Sequence, residues 1–70
     1  MMKFKTGDLV HVPSEVVLFT RHRNTEDVKE YVKLKAPQQL LVTRVYARTC
    51  EVFFENRHWL VSKEEVYEVV

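Results

Sequence analysis

Three short runs, Leu40 to Ala47, Glu51 to Glu55 and His58 to Val61, alternate between apolar and polar residues with almost nothing between them. Alternation with a period of two marks a strand with one face buried. Connectors as short as Arg48-Thr49 and Asn56-Arg57 force antiparallel pairing, because a parallel return needs a crossover of about a dozen residues. The C-terminal half therefore reads as a three-stranded meander. Neither connector holds a glycine: Asn56 tolerates positive φ, whereas β-branched Thr49 does not. A four-residue loop around a type I turn keeps the register that these connectors set.

In that register Val45 faces Val52, Thr43 faces Phe54, Phe54 faces Trp59 and Val52 faces Val61, an apolar face expected to line the core. The opposite face gathers Val42, Arg44 and Tyr46 with Glu51, Phe53 and Glu55, then His58, Leu60 and Ser62. Arg44, Phe53 and Leu60 form its expected central row.

The rest of the chain fits around this unit. Asp8 to Val12 alternates, with Val10 and Val12 on one side, and Pro13 ends the run because proline cannot donate to a ladder. Glu15 to Thr20 holds Val16-Val17-Leu18-Phe19, which reads as a strand buried on both faces. Arg21 to Asp27 is polar and reads as a loop. Val28, Tyr31 and Val32 sit at helical spacing behind Asn24 or Thr25 as N-cap, while Val32, Leu34 and Ala36 alternate. The expectation is a helix or turn near 25–30, then a strand near 31–35, with a break at Pro37. Ser62-Lys63-Glu64-Glu65 matches a capping box, but the space before the final strand Tyr67 to Val70 admits one helical turn only.

Composition narrows the class. Seventy residues make one small domain, expected to span 1–70. Thirteen valines supply β-branched strand residues, and the single glycine, Gly7, excludes a glycine-rich phosphate loop. No run of about 18 apolar residues is present, so no membrane helix is expected. The start, Met1-Met2-Lys3-Phe4-Lys5, lacks the apolar stretch of a signal peptide, and the lone Cys50 cannot form an internal disulfide. Both point to the cytoplasm. The net charge of +1 divides unevenly: residues 1–48 carry nine Lys/Arg against five Asp/Glu, and residues 49–70 carry two against five.

The order of strand, long excursion, meander, helical turn and short final strand resembles the Src-homology-3-like small β-barrel. Two segments carry the resemblance. Phe4-Lys5-Thr6-Gly7-Asp8-Leu9-Val10-His11-Val12 is similar to the "basic–x–Gly–Asp–x–Val–x–Val" opening of many such barrels. Trp59-Leu60-Val61-Ser62-Lys63-Glu64-Glu65-Val66-Tyr67 is similar to their usual ending. The resemblance implies a mostly β, five-stranded antiparallel barrel with its own insert near 21–37. It also implies binding to peptides, proteins or nucleic acid rather than catalysis. The chain further resembles the short open reading frames of tailed bacteriophages, which would place it in the host cytoplasm.

Function must then be read from sites, since such folds host many. His11, His22, His58 and Cys50 show no paired metal-ligand spacing, so no metal or cofactor is expected. No triad order or nucleotide loop is present, so an enzyme is not expected. Arg44, Tyr46, Phe53, His58 and Leu60 have the composition of an interface centre and form the candidate protein-binding set. Either this face is free for a partner, or residues 21–37 cover it. The alternative set, for nucleic acid, is Arg21, Arg23, Lys33, Lys35 and Arg44. Glu26, Asp27 and Glu30 stand against it. A monomer or weak homodimer with a protein partner is the resulting expectation.

Overall fold

The alternating runs become strands in the computed structural model, which describes residues 4–22, 24–25 and 27–69. The strands are β1 (Leu9–Val12), β2 (Val17–Arg21), β3 (Val28–Lys33), β4 (Gln38–Val45), β5 (Thr49–Phe54), β6 (Arg57–Ser62) and β7 (Tyr67–Glu68). They form one antiparallel sheet in the order β3-β2-β6-β5-β4-β1-β7. A single 3₁₀ turn, Lys63–Glu65, precedes β7, and the Ser62 hydroxyl caps it by accepting from the Glu64 N–H at 3.3 Å. The mostly β class and the helical turn agree with the sequence.

The closed five-stranded barrel does not. The sheet has seven strands, and its two edges, β3 and β7, are not hydrogen-bonded to each other. The two extra strands come from the 15–37 stretch, where β2 and β3 pair as a hairpin. The helix or turn expected near 25–30 is a turn, and it ends by Asp27. The Thr25 hydroxyl accepts from the Asp27 N–H in a local turn, and extended structure begins at Val28. β-branched and aromatic residues at 28, 31 and 32 suit a strand, and pairing with β2 decides between the two periodicities.

One face of the sheet curls around a single core. Val10 and Val12 of β1, Leu18 of β2, Leu40 and Val42 of β4, Cys50 and Val52 of β5, and Trp59 and Val61 of β6 are buried there together. Val16, Leu34 and Val66 close it from outside the strands. β2 is therefore one-sided rather than buried on both faces: Leu18 points inward, while Val17 and Phe19 point outward and keep solvent contact. Trp59 also donates its indole N–H to the Phe54 carbonyl at 3.2 Å, and the Arg57 guanidinium lies 4.6 Å from its ring centre.

Both meander turns fall one residue earlier than the sequence suggested. Glu55 and Asn56, with φ of 51° and 63°, make the β5–β6 turn, so Phe54 pairs with Arg57 and Val52 with Trp59. Tyr46 N–H donates to the Thr49 carbonyl, so Val45 pairs with Cys50. Each register thus slips by two residues, which preserves the faces. A bulge at Thr43 does not preserve them: Arg44 pairs with Glu51, but Val42 pairs with Val52. The extra residue turns Val42 into the core, where it is fully buried, and turns Thr43 away from it. This corrects their expected places.

Two measurements follow from these features. Positive φ at both turn positions is the type I′ signature, which favours Asn-Gly. Glu55→Asn with Asn56→Gly is expected to stabilise the fold by roughly 1 kcal/mol, the strain a non-glycine residue stores at positive φ, read as a higher urea midpoint; a lower midpoint refutes the turn assignment.

Burial pushes the Cys50 thiol above its usual value of 9.0. The native state then holds this proton more tightly than the unfolded chain. The resulting stability is full below the unfolded pKa and is lost as pH rises through the higher native one. Urea midpoints taken from about pH 8 to about pH 10.5 should fall more steeply for the wild type than for Cys50→Ala.

Candidate functional site

The outer face carries what the core does not use. Residues directly opposite on neighbouring strands point to the same side, so the pairings trace rows across the sheet. One row runs Tyr31, Phe19, Leu60, Glu51 and Arg44, from β3 through β2, β6 and β5 to β4. The row beside it runs His58, Phe53, Leu41 and Leu9, from β6 through β5 and β4 to β1. Tyr31 is 73% exposed, Leu9 49%, Leu41 43% and Phe53 40%, while Phe19 and Leu60 are half-buried. Residues 28–33 extend the sheet at its edge through pairing with β2, and Phe53, Leu41 and Leu9 remain open to solvent.

The predicted protein-binding residues are mostly brought together. Leu60 and Arg44 lie in the first row, and Phe53 and His58 in the second. The Phe53 and His58 rings meet edge to face with centroids 5.3 Å apart. Tyr46, just beyond β4, lines a shallow depression with Arg21, Ala47, Arg48 and Thr49. The sequence reading missed Phe19, Tyr31, Leu41 and Leu9. Phe19 was hidden because four consecutive apolar residues conceal an alternation, and Leu41 because the bulge at Thr43 reverses the pattern of β4.

A polar network sits between the rows. The Thr43 hydroxyl lies 2.9 Å from Glu51 Oε1 and donates to it. His58 Nδ1 is 3.4 Å from the same oxygen and 3.3 Å from the Thr43 hydroxyl. A hydroxyl, an imidazole and a carboxylate match a nucleophilic triad by residue type, but the geometry differs. In a triad the imidazole bridges hydroxyl and carboxylate through its two nitrogens. Here one nitrogen faces both, and the hydroxyl donates its hydrogen bond directly to the carboxylate. The network holds the Glu51 carboxylate in place in the middle of an apolar surface.

The nucleic-acid set is dispersed. Arg21 lies 5.2 Å from the Phe19 ring centre, and Lys33 stands 3.9 Å from Glu15. Arg44 is opposite Glu51, and Lys35 sits beside Phe54 and Glu55 at a separate turn. Arg23 lies outside the described residues. Glu30 is held by Arg57, whose hydrogen bond and charge keep the carboxyl below its usual range. Among the described residues, no group of three His, Cys, Asp or Glu is placed to hold a metal ion, and no helix is long and apolar enough to cross a membrane.

No protein-family model, curated protein or solved structure matches the chain.

The two faces should separate cleanly on mutation. Trp59→Ala empties core volume and is expected to cost about 3–5 kcal/mol, close to the whole stability of a small domain. Phe53→Ala should cost roughly 1 kcal/mol, because much of its ring is already in water. Denaturant unfolding measures both, and equal costs would show that the faces are misassigned.

Proposed function

We propose that this protein is a non-catalytic binding module whose outer sheet face docks a larger protein partner. The observation that supports this is the pair of adjacent rows, Phe19 and Leu60 beside Phe53, Leu41 and Leu9, left in contact with solvent. Contiguous apolar side chains of this kind on a small domain mark an interaction surface. Aromatic anchors with an arginine at the border match the centre of a protein interface. Leu60 and Phe53 are the proposed anchors, with Arg44, Tyr46 and His58 around them.

The order of strand, hairpin, meander, 3₁₀ turn and short strand supports a kinship with Src-homology-3-like proteins, in which the excursion has become a pairing hairpin. The proposed role is that of a small regulator or inhibitor of the bacteriophage type, acting in the cytoplasm on a larger enzyme. The scattered cations and the central Glu51 favour protein over nucleic acid as the partner.

The test compares partners captured by the wild type and by Phe53→Ala/Leu60→Ala, each confirmed as folded by circular dichroism. The expected result is one specific partner whose affinity falls at least about 30-fold in the double variant, the scale of lost interface anchors. Identical capture by both proteins would overturn the reading. Capture that disappears with nuclease and weakens steeply with salt would replace it with nucleic-acid binding.

A further inference from the structure

We propose that the free edge of β3 accepts an acidic, extended segment of a partner protein as an added strand. This rests on the binding-module reading but uses a different surface, backbone rather than sheet face. Among the described residues the sheet has two edges. β7 offers only two residues, whereas β3 offers six. The Leu34 N–H donates to the Val16 carbonyl at 2.9 Å, which turns the backbone groups of Leu34 toward β2. Direction alternates along an antiparallel strand, so Lys33 and Tyr31 turn their N–H and C=O groups away from β2 and into solvent. Such a row is a template for an incoming strand.

Charge selects the occupant. Lys29 and Lys33 are exposed on β3. Glu30, between them, is engaged by Arg57 of β6. The contact of Lys33 with Glu15, at 3.9 Å, joins two largely exposed side chains, so a partner carboxylate can replace it at little cost.

A second copy of the chain is a poor occupant. Two β3 strands related by a two-fold axis and centred on Tyr31 would set Lys29 against Lys33 of the other copy. Centred on Glu30, they would set the two glutamates together. Like charges directly opposite are destabilising. An acidic strand meets neither penalty. Lys33 shares a face of the sheet with Tyr31 and Phe19, and half-buried Val32 lies on the other face, so an added strand presents its acidic side chains on the lysine face and its apolar ones beside Val32. The fitting partner segment therefore alternates acidic and apolar residues.

The probe is a synthetic peptide of alternating Glu and Val, titrated into ¹⁵N-labelled protein, with a Lys-Val peptide as the opposite-charge control. Amide shifts should concentrate on residues 28–33, and the Tyr31 and Lys33 amides should exchange more slowly when the peptide is bound. The Glu-Val peptide should bind at least about tenfold tighter than the Lys-Val peptide, the scale of two exposed ion pairs. Lys29→Glu/Lys33→Glu should reverse that preference, while Phe53→Ala/Leu60→Ala should leave it intact. That last comparison separates failure here from failure of the outer-face reading. Equal binding of both peptides, shifts centred on Phe53 and Leu41 instead of β3, or no shift up to the solubility limit would each overturn the proposal. If the lysine variant does not fold, the two-peptide comparison on the unaltered protein decides.

Discussion

Everything in this molecule depends on one sheet burying one of its own faces. No second layer is available to cover it: the only helical element among the described residues is a three-residue 3₁₀ turn. The sheet must therefore curl until valines from β1, β4, β5 and β6 meet across the interior, with Leu18 and Trp59 as larger fillers. Valine suits this task, because its branched side chain packs on a strongly twisted surface without adding much volume. A small domain buries a modest share of its surface, so the core is thin and each large side chain in it counts heavily.

Curling inward leaves the other face outward, where side chains add less to stability than those of the core. Phe19, Leu60, Phe53, Leu41 and Leu9 occupy positions where polar residues would serve solubility better. The polar groups that do stand among them are tied together: Thr43, Glu51 and His58 satisfy one another. The edges follow a comparable division. β7 is too short to template another chain, while β3 is long but carries two lysines. Those lysines discourage pairing between identical copies and leave pairing with an acidic strand open.

Much of this architecture was legible in the residues. The alternation of Asp8 to Val12 and of the meander runs marked four strands, and Ser62 marked the helical turn. The burial of Trp59 followed from the same pattern. What stayed illegible had local physical causes. Val16-Val17-Leu18-Phe19 offers no contrast between faces, so the alternation of β2 emerges only when Leu18 enters the core and Phe19 pairs with Leu60. The 28–33 stretch satisfies helical and strand periods at once, and the hairpin partner chooses between them. Arg21, Arg44 and Lys35 read as one basic set along the chain but end on different parts of the surface.

The division between sequence and tertiary structure is clearest in β4. Sequence alone determined that residues 40–45 belong to a strand paired with one over 51–54, because alternation and a short connector admit nothing else. It also determined a valine-rich core and an antiparallel meander. Which side chains of β4 enter that core was decided by the bulge at Thr43, which buries Val42 and sends Leu41 outward beside Phe53. A bulge carries no compositional mark when the extra residue is an ordinary threonine. It exists because the curled sheet needs a local increase in twist, and that need arises only when all the strands are assembled.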